Sequence, residues 1–185
     1  MLDLANLLAL SKPVVLETGR WIQSMVDTIG QEDIQYKGTN DLVSYVDQQA
    51  ENRLKSGLSK VFPEAGFIAE ESATGQEDIG EGYYWVIDPL DGTTNFLHRL
   101  PVYAVSVGLI FKKQPVLGMI YEPNRDELFY ACQGDGAFLN GKPIRLRGAN
   151  SMGFEQNDVK NKNWNQLIDD ILLAKLTNMN FLRFT

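Results

Sequence analysis

The sequence predicts an α+β protein, with two helices ahead of a run of short strands. Three observations carry this. Apolar residues recur at helical spacing over 4–29 and again over 43–61. After Pro63 the texture changes to short apolar runs separated by turn residues. The order is helices first and strands afterwards, which argues for a layered sheet protein rather than a β-α-β-α alternation. At 185 residues the chain is read as a single domain, 1–185.

The first helix carries Leu4, Leu7, Leu8, Val14, Val15, Trp21, Ile22, Met25, Val26 and Ile29 on its apolar stripe. Pro13 is expected to kink or split it, and Gly30 to end it. The second stripe is Val43, Val46, Ala50, Leu54, Leu58 and Val61. Both stripes are read as core-facing. Gly66–Ala69, Tyr83–Ile87, Val102–Phe111, Val116–Tyr121 and Leu128–Cys132 are the strand candidates. Residues 72–82 read as a polar loop and Lys112–Pro115 as a turn, with Asn140-Gly141 as a hairpin signal. Trp164–Leu176 is read as a helix and Asn180–Thr185 as a strand.

Composition fits an ordinary soluble protein, with 44% hydrophobic and 22% charged residues. Lys+Arg 17 against Asp+Glu 24 gives a net charge of −7, which argues against nucleic acid or an anionic membrane as partner. The single cysteine, Cys132, excludes an intrachain disulfide, and it lacks a basic neighbour to activate it. No apolar run is long enough to span a bilayer, and the start lacks the basic region of a signal peptide. The expectation is a cytoplasmic protein.

Carboxylates collect beside turn residues in three places: Asn40-Asp41 leading to Asp47, Ala69-Glu70-Glu71, and the string from Trp85 to Phe96. The third is the most informative. An apolar strand runs into Asp88, Pro89 restricts the backbone, and Asp91-Gly92 turns it. Asp88, Asp91 and the Leu90 carbonyl between them then converge as hard oxygen donors suited to Mg²⁺. Gly92, Thr93 and Thr94 follow where a helix can begin, and free amides there suit a phosphate. Asp-Pro or Asp-Gly alone is an ordinary surface turn. The whole string after a buried strand is different, because unpaired carboxylates at a strand end cost stability unless a cation offsets them.

The other candidates are weak when taken singly. Adjacent glutamates point to opposite faces of a strand, so one of Glu70 and Glu71 can face a metal. Asn40-Asp41 reads as the N-cap of the second helix. Asp47 and Lys37 alone read as solvated charges, His98 alone as structural and Cys132 as packing.

With these segments in view, the chain resembles the inositol monophosphatase family, within the Mg²⁺-dependent, lithium-sensitive phosphatases. Lys37 to Asp47, Phe62 to Glu71, Trp85 to Phe96, Pro101 to Gly108 and Gly134 to Gly141 carry the resemblance, over about Leu4 to Arg147. Thr93-Thr94-Asn95-Phe96 favours the inositol branch. Bisphosphate nucleotidases tend to carry Thr-Lys-Glu-Phe there, and fructose-1,6-bisphosphatases Ser-Ser-Asn. The resemblance implies up to three Mg²⁺ ions and inhibition by lithium. It implies that Glu70, Asp88 and the Leu90 carbonyl hold one ion, that Asp88 and Asp91 hold a second, and that Glu70 helps hold a third with its water. Thr93 paired with Asp47 is implied to activate that water. Gly92 and Thr93 amides are implied at the phosphate, with Glu70 and Lys37 beside them.

The resemblance also implies an α-β-α-β-α sandwich, a homodimer, and a small phosphorylated polyol or sugar as substrate. The leading expectation is hydrolysis of an inositol monophosphate. The alternatives are a 3′(2′),5′-bisphosphate nucleotidase, a fructose-1,6-bisphosphatase-like enzyme, or a fragment that binds metal or phosphate without turnover. The family's later Trp-Asp-x-Ala-Ala-Gly motif, whose Asp is a metal ligand, does not occur here. The C-terminal layers are therefore expected to be incomplete, through truncation, fragmentation or missing sequence.

Overall fold

The computed structural model describes residues 2–26, 38–69 and 80–144, with side chains described from Tyr45 onward in the second of these. Helix α1 spans Leu4–Met25 and opens on Asp3, whose Oδ1 accepts the Asn6 amide at 3.0 Å. Pro13 lies inside it without splitting it. The proline sits on the exposed side, while Leu7, Leu8, Val15, Thr18, Gly19 and Ile22 are buried. Burial of that stripe, at about 1.5–3 kcal/mol per large side chain, outweighs the roughly 3 kcal/mol a helical proline costs. Gly30, expected to stop this helix, lies outside the described residues.

Helix α2 spans Gly38–Val61, five residues longer at its start than the apolar spacing indicated. Asn40 and Asp41 therefore fall inside its first turn rather than at its cap. Polar residues carry no apolar periodicity, so a polar first turn escapes a pattern read from burial. Val46, Ala50, Leu54 and Leu58 are fully buried, as the stripe predicted.

The strands are β1 (Gly66–Ala69), β2 (Tyr83–Asp91), β3 (Ala104–Phe111), β4 (Gln114–Glu122), β5 (Glu127–Cys132), β6 (Gly136–Leu139) and β7 (Lys142–Pro143). Between β2 and β3 lies the short helix α3, Thr93–Leu97. The strands form one seven-stranded sheet in chain order. β1 pairs parallel to β2, and every later pair is antiparallel.

Several strand limits differ from the sequence reading. β2 does not stop at Pro89; it runs through to Asp91 with a register shift between Asp88 and Asp91. A bulge absorbs the proline that a regular ladder would exclude. Gln114 and Pro115 belong to β4, again beside a register shift, so the β3–β4 turn contains only Lys112 and Lys113. Val102 lies before β3. The Asn140-Gly141 hairpin forms as predicted, with φ of 48° and 82° joining β6 to β7.

Alternation within the sheet places the core. Trp85, Ile87, Val105, Val107, Leu109, Leu117, Met119, Tyr121, Leu128 and Cys132 join the buried residues of α1 and α2 in one cluster. Ile68, Val86, Ile110 and Ala131 alternate with them, and are buried without belonging to that cluster. A sheet buried on both faces suits an inner layer of a sandwich. The described residues thus give a helical layer on a mixed sheet, an α+β architecture. The Trp164–Leu176 helix and the Asn180–Thr185 strand lie outside the described residues.

Candidate active site

The site is built on the C-terminal end of β2. Asp88 pairs in register with Ser106 on β3; they are 6% and 5% exposed. Beyond Asp88 the bulge turns the chain, so Leu90 stays buried at 2% while Asp91 reaches the surface. Gly92 then takes φ 94° and ψ 35° and caps α3. No other residue fits well here. A Cβ would sit 2.9 Å from the Val102 carbonyl oxygen and 3.2 Å from Tyr103 Cα, in a left-handed backbone that side chains rarely adopt.

Thr93 opens α3, and its hydroxyl donates to the Leu90 carbonyl at 3.0 Å. This ties the first residue of the helix to the carbonyl that the sequence reading assigned to a cation. A carbonyl has two lone pairs, so one remains available. The start of α3 is pinned from outside as well. Asn95 Nδ2 donates to the Val102 carbonyl at 2.7 Å, and Phe96 packs edge-on against Tyr103 at 5.3 Å. The Tyr103 hydroxyl donates to Asn124 Oδ1 at 3.3 Å. Burial raises its pKa most, the Asn124 hydrogen bond opposes that, and Glu122 adds to the rise.

Helix α2 packs against both β2 and α3 and brings Asp47 with it, 7% exposed. Two nine-tenths-buried carboxylates, Asp47 and Asp88, therefore lie on elements that touch. Ionised carboxylates that deep need donors or cations around them. With Asp91 and the Leu90 carbonyl, β2 offers a set of hard oxygens suited to a divalent cation such as Mg²⁺. Among the described residues, no three His, Cys, Asp or Glu side chains are grouped closely enough to hold a metal.

Of the sequence-predicted residues, Asp88, Leu90, Asp91, Gly92 and Thr93 lie on one bulge and the turn that follows it, and Asp47 on the helix packed beside them. Glu70, Glu71 and Lys37 lie outside the described residues. His98 follows α3 with an exposed ring that makes no hydrogen bond among the described residues; only its amide is engaged, with the Thr94 carbonyl at 3.1 Å.

Two residues went unnoticed in the sequence. Ser106 is one, the cross-strand neighbour of Asp88. Glu51 is the other, 6% exposed and one turn after Asp47, with Lys55 Nζ at 2.7 Å from its Oε1. The Asp47/Glu51/Lys55 spacing of four residues was the available signal.

Comparison with known proteins bears on this geometry. The family model of the inositol monophosphatase family matches residues 3–177. A fructose-1,6-bisphosphatase/inositol-1-monophosphatase of Aquifex aeolicus is 38% identical over 82% of this chain and 57% of its own length. Inositol monophosphatase 2 of Solanum lycopersicum is 47% identical over 61% of this chain and 44% of its own. The crystal structure of the extragenic suppressor protein suhB from Bartonella henselae superposes with a TM-score of 0.62 at 38% identity, covering 77% of this chain and 53% of that one. The chain spans about half the length of the curated relatives it matches. Motif, fold and relatives agree: this chain belongs to the inositol monophosphatase family.

Proposed function

We propose that the protein is a Mg²⁺-dependent phosphomonoesterase acting on a small phosphorylated polyol, with an inositol monophosphate as the leading substrate. The observation that carries this is the bulged end of β2. There the buried Asp88, the Leu90 carbonyl and Asp91 are fixed within one turn of the α3 N-terminus. Family membership supports the reading. A sugar bisphosphate is the second reading, favoured by the paired activities in the name of the Aquifex relative.

The described donors, Asp88, Asp91 and the Leu90 carbonyl, fit the group they are expected to hold, since all are hard oxygens at the end of β2. Asp88, Asp91, Leu90 and Glu70 would hold the cations. When bound, Mg²⁺ neutralises phosphate charge and lowers the pKa of bound water. The chain's own groups supply position. Gly92 and Thr93 amides open α3 and have no acceptor within the helix, so they suit a phosphate oxygen. Thr93 has one hydroxyl proton and two lone pairs. With the proton on the Leu90 carbonyl, the lone pairs can accept from an attacking water. Re-aimed at Asp47, the same proton would let Thr93 and Asp47 orient that water together. Glu70 and Lys37 would complete the phosphate side.

We further propose a homodimer in the cytoplasm. Leu100 and Val102, 51% and 59% exposed in the segment after α3, offer an apolar surface for a second copy. Among the described residues no helix is long and apolar enough to cross a membrane.

The test is Mg²⁺-dependent phosphate release from a panel: an inositol monophosphate, fructose 1,6-bisphosphate and a 3′,5′-bisphosphate nucleotide. Asp88→Asn should abolish release while leaving the circular dichroism spectrum unchanged. Near wild-type release by Asp88→Asn at saturating Mg²⁺ would refute the assignment.

A further inference from the structure

A cavity of about 520 Å³ lies at the end of the sheet opposite the candidate active site. Tyr83 opens β2 and Asp91 closes it, so eight residues separate the two ends. At the usual rise of a strand that is roughly 26 Å. The cavity is lined by the start of α1 (Leu2, Asp3, Leu4, Ala5), by Tyr83, Phe111 and Val116, and by Cys132, Gln133 and Asp135. None of these residues belongs to the phosphate site.

Its floor is aromatic and apolar. Tyr83 and Phe111 face each other across β2 and β3 and stack at 4.3 Å between centroids, with planes 19° apart. Phe62 packs edge-on against Tyr83 at 5.2 Å. Val116 and Cys132 close the base, 6% and 1% exposed. Its volume is that of a small-molecule pocket, and it stands half open to solvent.

Its charge is one-sided. Among the described residues that line it, Asp3 and Asp135 are the ionised ones, and both are exposed. Neither forms an ion pair among the described residues. One comes from the start of α1 and the other from the turn after β5. Both lie near the Cys132 thiol. Burial raises its pKa first, and the fields of Asp135 and then Asp3 raise it further. The helix start is not a site for an anion here, because Asp3 already fills the capping role.

We propose that this cavity is a second ligand site, remote from the phosphate site, for a small organic monocation with a flat apolar body. The body lies along Tyr83 and Phe111, and the ammonium sits between Asp3 and Asp135.

The probe is phenethylammonium, compared with phenethyl alcohol and phenylacetate of the same body. Each is titrated into the ¹⁵N-labelled full chain near neutral pH. Saturable shifts are expected at the amides of Leu4, Cys132 and Asp135, with affinity falling from cation to alcohol to anion. Asp135→Asn should weaken the cation about two- to fivefold, the worth of one exposed ion pair, and leave the alcohol unchanged. Asp3→Asn should do the same, because asparagine caps a helix as well as aspartate does, so α1 is preserved. The proposal is overturned by absence of saturable shifts at those amides. It is also overturned if phenylacetate binds as well as the cation, or if both variants keep wild-type affinity for the cation.

Discussion

At Thr93 a single proton separates two accounts of water activation. The hydroxyl sits on the turn proposed to bind metal and donates to the Leu90 carbonyl, whereas His98 lies past the end of α3 with an exposed ring. Thr93→Ala should therefore cost about 10²-fold or more in turnover, the range of a lost acid–base group. His98→Ala should cost little. Single-turnover rates decide it, and the opposite ranking would mean a histidine mechanism and a misread site. Cys132 supports a different kind of prediction. Its folded-state thiol is raised from 9.0 to about 11, by burial first and then by Asp135 and Asp3. A raised pKa favours the proton-bound folded state, so the contribution is complete below pH 9 and is lost as pH rises through the window up to about 11. Urea midpoints measured across that window should fall, and the fall should be smaller in Cys132→Ala. An identical decline in both proteins would show that the tyrosines, not the thiol, carry it.

Among the elements, the β3–β4 hairpin stores strain that the sequence did not advertise. Lys112 and Lys113 take φ of 50° and 62°, a conformation that asparagine and glycine adopt readily and lysine does not. Lys113→Gly should raise stability by roughly 0.5–1 kcal/mol, read as a shift in urea midpoint with unchanged slope. A lower midpoint would mean that Lys113 makes a contact outweighing its backbone cost. The contrast with Asn140-Gly141 explains what was legible. That turn uses the residues its geometry wants, so it was found; the lysine pair uses residues that point to a generic polar loop, so its limits were misread by two residues. β2 was cut short for a related reason. Pro89 argues against a regular ladder, and a bulge that accommodates it leaves no local signature. Of the two outcomes expected at Pro13, the split does not occur, since α1 runs on through it with its inner stripe buried. The turn that carries the candidate site was legible: Asp91-Gly92 signals it locally, and the structure requires a glycine at 92. Glu51 and Ser106 acquire meaning only once α2 and β3 are laid against β2.

For the molecule as a whole, the two ends of one sheet differ in chemistry. At one end β2 delivers the buried Asp88 and the exposed Asp91 to the start of α3. At the other, an aromatic floor meets exposed carboxylates. For a protein of net charge −7, the proposed phosphate substrate calls for cations between the two. The central claim is therefore that the end of β2 is a cation site, and it can be tested without turnover. Isothermal titration of Mg²⁺ into this chain and into Asp88→Asn measures it most directly. The account predicts saturable binding by the wild-type chain and a loss of at least about tenfold in affinity in Asp88→Asn, with both proteins folded. Equal Mg²⁺ affinity in the two would contradict it.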